Sequence, residues 1–281
     1  MMNSKTYTYP SVLTIAGFDG SGGAGIQADM KTISALGCYA TSALTALPVQ
    51  NTTGVKSIFS IPENVVGEQI EMILEDIFPD AVKIGMVHTP ALVETIVEKL
   101  SHYPNLPIVF DPVMVATSGD HLIEDETIQS IVQQLFPIAN VITPNLDEAA
   151  ILAEMKIETV EEMKIAGKKI MELGCQSVLL KGGHLKSKKL TSLYFSPNGN
   201  IESFEFPKYE TNNTHGSGCT LSSAIASYLA QGKSLLEAVS LGQGYIHQAI
   251  YHGKDVAIGK GNGPVNHFFN PQKLIKNEMD R

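Results

Sequence analysis

The segment Ser11–Gly25, SVLTIAGFDGSGGAG, joins an uninterrupted apolar run to a turn with four glycines in its last six residues. A continuously apolar run is typical of a strand that is buried on both faces. Glycines allow a tight turn and a close approach of the backbone to a ligand. The segment is therefore predicted to be a strand, a glycine turn and the start of a helix.

The rest of the chain repeats this alternation of strands and helices. Apolar runs predict further strands at Ala81–Met86, Pro107–Asp111, Asn140–Thr143 and Ser177–Lys181. Helical spacing of apolar residues predicts helices at Glu63–Phe78, Thr89–Leu100, Thr159–Leu173 and Leu221–Ala230. Such an α/β pattern indicates a mainly parallel central sheet with helices on both faces.

An antiparallel hairpin is predicted at the sheet edge, where Ser192–Ser196 and Ile201–Phe206 flank the turn sequence PNGN at 197–200. The sequence contains no internal repeat and no composition typical of an interdomain linker. Residues 1–281 are therefore predicted to form a single domain, with residues 1–10 as a polar N-terminal extension.

Composition narrows the classes of partner. The chain carries 29 acidic and 20 basic residues, a formal charge of -9, so we expect no nucleic-acid partner. An anionic substrate is compatible with this charge, because helix N-termini and a few lysines create local positive sites. The polar residues Met1–Pro10 and the short apolar stretch that Asp19 ends predict neither a signal peptide nor a membrane span, and the three cysteines lack CxxC spacing. We therefore expect a cytoplasmic protein without a membrane partner.

The glycine turn Gly20–Gly25 also matches the dinucleotide fingerprint GxGxxG. That fingerprint requires an acidic residue about 20 positions later for the ribose, yet none occurs between Asp29 and Glu63. The triplet Gly232-Lys233-Ser234 resembles the end of a P-loop, but Ser227 stands where its first glycine is required. A nicotinamide-dependent oxidoreductase is an alternative that lacks this acidic residue.

The segment Thr214–Thr220, THGSGCT, precedes a helix rich in small residues and predicts an anion site. Glycines let successive N–H groups converge, and the helix dipole adds positive potential there. At that position we expect the dipole to lower the pKa of the Cys219 thiol and give some thiolate near neutral pH. A buried packing cysteine, or a cysteine hydrolase that uses His215, are the alternatives.

Polar residues follow three of the predicted strands, in the segments Asp111–Met114, Thr143–Glu148 and Lys181–Gly183. Ligands of open α/β sheets bind at the carboxyl ends of strands, where carboxylates can hold Mg²⁺ through water. The alternative is that Asp111 only ends a strand and that Thr143 and Asn145 cap a helix. His247 and His252 are predicted to lie on a helix surface and at its end, rather than in a metal site.

Taken together, these motifs resemble one kinase family: Ala16–Asp29, Gln50–Thr52, Lys83–Met86, Asp111–Val115, Thr143–Leu146, Lys181–His184 and Thr214–Thr220. The chain resembles the hydroxymethylpyrimidine and phosphomethylpyrimidine kinases of thiamine biosynthesis, from about Val12 to His267. The resemblance implies the ribokinase-like fold, a three-layer sandwich, and a homodimer.

The resemblance also implies ATP and Mg²⁺ as cofactors, a pyrimidine as substrate, and a role for each matching residue. The turn Gly216, Ser217 and Gly218 would form the anion hole, and Cys219 would accept the proton of the substrate hydroxymethyl group. ATP would contact Asp111, Asn145, Lys181, Thr214 and His215, and the metal would lie near Asp111 and Glu148. The pyrimidine would contact Gly17, Asp19, Ala24, Gln50, Met86 and Val113.

Gln50 selects the substrate in this interpretation, because its amide offers a donor and an acceptor to the edge of an aminopyrimidine. Pyridoxal lacks that edge, so pyridoxal kinase is the alternative activity within the same fold. The chain departs from the family pattern at Ser217, where threonine is usual, at Thr117, where lysine is common, and at Lys260, where histidine is frequent. The loss of the lysine bears on a lid expected after Met114.

Overall fold

A computed structural model describes residues 6–114, 123–183 and 185–279. Its strands are β1 (Tyr7–Thr8), β2 (Ser11–Ala16), β3 (Tyr39–Leu44), β4 (Ala46–Asn51), β5 (Gly54–Ser60), β6 (Ala81–Ile84), β7 (Ile108–Phe110), β8 (Val141–Ile142), β9 (Val178–Lys181), β10 (Lys189–Phe195), β11 (Ile201–Pro207) and β12 (Asn277–Glu278). The expected lid residue Thr117 and the motif residue His184 lie outside the described residues.

The α-helices are α1 (Gly25–Ala35), α2 (Glu63–Asp76), α3 (Pro90–Ser101), α4 (Asp125–Ser130), α5 (Leu146–Ala153), α6 (Val160–Glu172), α7 (Ser217–Ala230) and α8 (Leu235–Gly253). A π-helical turn (Ile131–Leu135) and a 3₁₀ turn (Phe136–Ile138) follow α4. None of the helices in the described ranges is long and apolar enough to cross a membrane.

The central sheet has the strand order β11-β10-β9-β8-β7-β6-β2-β3. Strands from β9 to β3 are parallel, and β10 and β11 add an antiparallel hairpin at one edge. Both features confirm the sequence-based predictions. Two small antiparallel sheets lie outside it, β4 with β5 and β1 with β12, so part of the polar N-terminal extension is paired with the C-terminal segment.

Alternate residues of the central strands pack into two separate hydrophobic clusters. In β2, Leu13 belongs to the cluster that contains residues of α2, α3, α5 and α6. Its neighbour Val12 belongs to the cluster that contains residues of α1, α7 and α8. Because successive strand residues point to opposite faces, these clusters show that helices cover both faces of the sheet. The predicted three-layer sandwich is confirmed.

A buried ion pair connects the sheet to two helices. Lys83 Nζ of β6 lies 2.8 Å from Asp29 Oδ2 of α1, and both side chains are fully buried. The same carboxylate accepts hydrogen bonds from Thr14 of β2 at 2.6 Å and from Ser223 of α7 at 2.8 Å. Burial lowers the pKa of Lys83, and the combined effects of Asp29, Cys219 and Asp111 raise it by more, so the lysine keeps its proton.

Several elements were not predicted from the sequence. The edge strand β3, the hairpin of β4 and β5, and helix α8 as a whole carried too weak a signal. All seven residues of β5 are exposed, so it has no alternation of buried and exposed side chains to recognise. His247 corrects another expectation, because it is buried between Phe206 and Tyr209 instead of lying on the surface of α8. His252 does lie near the end of that helix.

Close packing of α6 against the hairpin edge gives a testable stability difference. A Cβ atom at Gly167 would lie 2.1 Å from the ring of Phe195, whereas a Cβ atom at Gly244 of α8 would meet no atom within 4 Å. We expect Gly167→Ala to lower the free energy of unfolding by about 1–2 kcal/mol, because overpacking outweighs the gain in helix propensity. Gly244→Ala should raise it by about 0.5–1 kcal/mol. Urea unfolding of both variants checks this, and a stabilised Gly167→Ala would contradict the packing.

Candidate active site

A cavity of about 880 Å³ opens at the carboxyl ends of the parallel strands. This is the edge at which loops of open α/β sheets usually bind ligands. The cavity is lined by nearly all of the residues that the sequence singled out: Gly17, Ala24, Gln50, Met86, Asp111, Val113, Asn145, Glu148, Lys181, Thr214, His215, Gly216, Ser217, Gly218 and Cys219. The sequence therefore identified side chains that the fold brings together from seven separate segments.

The turn before α7 presents backbone N–H groups to this cavity. Gly216 has a φ of 75°, and a Cβ atom there would lie 1.8 Å from the carbonyl oxygen of Gly23. Only glycine therefore fits between this turn and the glycine loop. The amide of Ser217 donates to Thr214 O and that of Thr220 donates to Gly216 O, at 3.1 and 2.9 Å. The intervening amides of Gly218 and Cys219 lie in the first turn of the helix, where N–H groups are available to an anion.

A lysine–aspartate pair lies opposite this turn. Lys181 Nζ is 2.9 Å from Asp111 Oδ1, which also accepts a hydrogen bond from Thr143 Oγ1 at 2.8 Å. A Cβ atom at Gly218 would lie 3.0 Å from Asp111 Oδ2 and 3.2 Å from Lys181 Nζ. Burial raises the pKa of Asp111, and Lys181 and Lys83 lower it by more. The carboxylate is therefore ionised beside the helix N-terminus.

Asn145 and Glu148 form the capping box of α5. The side chain of Asn145 accepts from Glu148 N at 2.9 Å, and Glu148 Oε2 accepts from Asn145 N at 2.7 Å. The helix-capping alternative considered for Asn145 is thus observed, although both side chains also line the cavity. Burial raises the pKa of Glu148 to about 7 against the opposing effect of Lys181.

A divalent cation is compatible with Asp111 and Glu148. Within the described ranges no group of three or more His, Cys, Asp or Glu side chains could hold a metal ion. Mg²⁺ usually keeps several waters and takes one or two carboxylates together with substrate phosphates. The two carboxylates therefore fit Mg²⁺ that arrives with a nucleotide, rather than a metal held by protein ligands alone.

The thiol of Cys219 differs from the expectation drawn from the helix dipole. Burial raises the pKa of the Cys219 thiol to about 11, although the Lys83 ammonium lowers it. The predicted thiolate near neutral pH is therefore wrong, because loss of hydration outweighs the favourable charges. The backbone of Gly25 lowers this pKa slightly.

Asp19 and His215 bind each other. The Asp19 carboxylate accepts hydrogen bonds from the amides of Ser21, Gly23 and Ala24, and its Oδ2 lies 2.8 Å from His215 Nε2. Asp19 is 1% exposed and does not belong to the cavity lining, unlike the other predicted pyrimidine contacts. It therefore holds the glycine loop to the turn before α7. The same contact directs His215 Nε2 to a carboxylate instead of to Cys219, which removes the pairing that a cysteine hydrolase needs.

A second arm of the cavity was missed by sequence reasoning. Apolar and aromatic side chains line it, namely Leu190, Phe206, Tyr209, Leu221, Ile246 and Ile250, together with Lys208, Gln243 and His247. These residues come from β10, β11, α7 and α8 and from the connection after β11, so no local motif links them. Apolar and aromatic lining residues in the same cavity as an anion-binding turn are suited to an aromatic base joined to phosphates.

Comparisons with known proteins agree with this arrangement. The chain matches the phosphomethylpyrimidine kinase family over residues 19–266. A hydroxymethylpyrimidine/phosphomethylpyrimidine kinase of Rhizobium meliloti is 44% identical over 257 residues, which cover 91% of this chain and 96% of that protein. A probable thiamine biosynthetic bifunctional enzyme of Oryza sativa, described as chloroplastic, is 42% identical over 95% of this chain. The chain spans 49% of that plant protein, about half its length.

Solved structures show the same fold. Pyridoxal kinase of Bacillus subtilis, crystallised with ADP, is 35% identical with a TM-score of 0.86, over 92% of this chain and 98% of that one. Phosphomethylpyrimidine kinase of Clostridium difficile is 44% identical with a TM-score of 0.75, over 85% and 99%. The pyridoxal kinases confirm the ribokinase-like architecture. The family match, which covers the glycine loop, both strand-end carboxylates and the turn before α7, shows that this chain belongs to the phosphomethylpyrimidine kinase family.

Proposed function

We propose that this chain transfers the terminal phosphoryl group of ATP to 4-amino-5-hydroxymethyl-2-methylpyrimidine, and a second one to the resulting monophosphate. The observation that carries the proposal is the convergence of the α7 N-terminus, Lys181 and Cys219 at one end of a single cavity. Free N–H groups and a buried ammonium are the groups that stabilise charge on a transferring phosphoryl group. The names of relatives such as the Rhizobium meliloti kinase point to the same acceptors.

ATP fits the proposal with its base in the apolar arm and its phosphates between the turn and Lys181. Mg²⁺ held near Asp111 and Glu148 would neutralise phosphate charge when it is bound. Thr214, His215 and Asn145 line the same end of the cavity. ADP and an ATP analogue occur in the solved pyridoxal kinases, which supports a nucleotide site of this kind. We also propose a cytoplasmic location, because the three cysteines Cys38, Cys175 and Cys219 are free thiols, as in a reducing compartment.

Substrate-dependent ADP release tests the function. The purified protein, ATP and Mg²⁺ are combined with the pyrimidine alcohol, with its monophosphate, or with pyridoxal. We expect ADP release with the first two acceptors and a much lower kcat/KM with pyridoxal. Absence of ADP release with all three acceptors would exclude the proposed kinase. Pyridoxal as the best acceptor would favour the second candidate, which the similarity to pyridoxal kinases supports.

We expect Gln50 to determine which acceptor is preferred. Its side chain lines the cavity on the hairpin of β4 and β5, opposite Met86 and Val113. Replacing it with alanine removes the amide that would pair with the ring nitrogen and amino group. We expect Gln50→Ala to raise the KM for the pyrimidine by about 10- to 100-fold, the effect of losing one or two hydrogen bonds. The KM for ATP should change less than threefold by the same reasoning, and an unchanged pyrimidine KM would refute the assignment.

Cys219 is expected to matter for the first acceptor only. In the proposed step, the hydroxymethyl proton passes to the small fraction of Cys219 that is ionised, since burial raises the thiol pKa to about 11, as the oxygen–phosphorus bond forms and ADP leaves. A phosphate acceptor is already ionised and needs no base. We expect Cys219→Ala to slow the alcohol step by about 10²- to 10⁴-fold, the usual range for a general base. The phosphate step should be affected far less. Equal losses in both steps, measured by single-turnover kinetics, would remove Cys219 from the base role.

A homodimer is part of the proposal. Large apolar side chains on the hairpin and around α2 are exposed in one chain, among them Phe59, Met72 and Phe78. Exposed apolar patches of this kind commonly mark subunit interfaces. Light scattering coupled to gel filtration should give twice the 30.3 kDa mass of one chain. A mass equal to one chain at micromolar concentration would contradict the dimer.

A further inference from the structure

The hairpin of β4 and β5 is held at its tip by a distant part of the chain. Thr52 Oγ1 accepts hydrogen bonds from the amides of Lys260 and Gly261, each at 3.2 Å. The carbonyl oxygen of Thr52 accepts a third from Asn262 N at 3.1 Å. The hairpin pairs only within itself and does not extend the central sheet, so this contact fixes the position of its tip.

Glycine is required on the opposite side of this contact. Gly259 has a φ of 72°, and a Cβ atom there would lie 2.2 Å from Thr52 Oγ1. A Cβ atom at Gly261 would lie 1.8 Å from the carbonyl oxygen of Thr52. The segment 259–262 is thus shaped to receive Thr52, because any side chain at these glycines would push the hairpin tip away.

The same segment continues to the anion-binding turn. Gly263 O accepts a hydrogen bond from His215 N at 3.1 Å, directly before Gly216. Asn213 Nδ2 donates to the carbonyl oxygens of Gly253 and Val256, each at 2.7 Å, and holds the start of the segment. The hairpin tip is therefore anchored to a segment that also contacts the turn at His215.

Gln50 lies two residues before Thr52, beside a register shift between Val49 and Gln50 in the hairpin. The direction of the Gln50 amide depends on where the hairpin tip is held, since no other sheet supports β4. We propose that Thr52 is a positioning residue that fastens the hairpin to segment 259–262 and so directs Gln50 at the acceptor ring. This inference rests on the proposed function, because it assigns Thr52 to the acceptor side of that reaction.

Adjacent threonines provide a matched comparison. Thr53 is exposed, and its hydroxyl donates to Asn51 Oδ1 within the tip, whereas the Thr52 hydroxyl binds segment 259–262. Thr52→Val removes the hydroxyl acceptor and keeps the side-chain shape. We expect the KM for the pyrimidine alcohol to rise about tenfold in Thr52→Val, as for the loss of two weak hydrogen bonds. The KM for ATP should stay within about twofold, because the variant alters acceptor binding alone.

Control variants separate positioning from general damage. Thr52→Ser keeps the hydroxyl and should restore the wild-type KM, and Thr53→Val should leave it unchanged. Gly261→Ala displaces the tip by a different route and should reproduce the effect of Thr52→Val, with thermal unfolding confirming that each variant is folded. Equal rises in both Michaelis constants, or the same rise in Thr53→Val as in Thr52→Val, would overturn the inference.

A double variant tests whether Thr52 acts through Gln50. If it does, Gln50→Ala combined with Thr52→Val should raise the pyrimidine KM no further than Gln50→Ala alone. Multiplied effects of the two changes would overturn the positioning role. Wild-type protein is assayed first with the pyrimidine alcohol. No activity at that stage counts against the proposed function, whereas normal wild-type activity with an unchanged Thr52→Val counts against this inference alone.

Discussion

The ion pair between Lys83 and Asp29 is the interaction on which the site depends. It is fully buried, and it joins β6 to α1 while Thr14 and Ser223 bring in β2 and α7. Removing two charges from water is costly, so such a pair persists only where the geometry and the additional hydrogen bonds compensate. Here the compensation fixes two helices on one sheet face. Since α1 begins at the end of the glycine loop and the turn Gly216–Cys219 forms the start of α7, the pair also fixes both loops.

The two loops meet so closely that the backbone itself becomes part of the recognition surface. Gly216 packs on Gly23, and a Cβ atom at Gly25 would lie 2.3 Å from the carbonyl oxygen of Gly17. Asp19 accepts hydrogen bonds from amides of the first loop and contacts His215 in the second. Burial raises the pKa of Asp19, and hydrogen bonds from His215, Ser21 and Ala24 lower it by more, so the carboxylate stays ionised. The charged side chain of Asp19 therefore holds the two loops together and does not itself line the cavity.

Residues of different character line different parts of the cavity. Charged groups and helix N–H groups lie together near Cys219, while apolar and aromatic residues line the arm between β11 and α8. The hairpin with Gln50 closes a third side and is tied by Thr52 to the segment that leads to the turn. Under the proposed function, an enclosed site of this kind would favour transfer of the phosphoryl group to the acceptor over hydrolysis. It also explains why Cys219 carries a raised thiol pKa, because the enclosure that excludes water disfavours the thiolate.

The sequence by itself determined the parallel α/β core, the edge hairpin and the family. Continuous apolar runs and helical spacing are local patterns, and the strand-end motifs are short enough to recognise without a structure. Nearly every candidate residue for ATP, metal and acceptor proved to line one cavity, because strand order brings carboxyl ends to one edge. The tertiary structure determined those features of the site that depend on contacts between residues far apart in the sequence. It pairs Asp19 with His215, buries His247 and brings the apolar arm together. Burial in the fold also raises the thiol pKa of Cys219. Each of these follows from burial and contacts between segments far apart in the chain, which no local pattern of residues encodes.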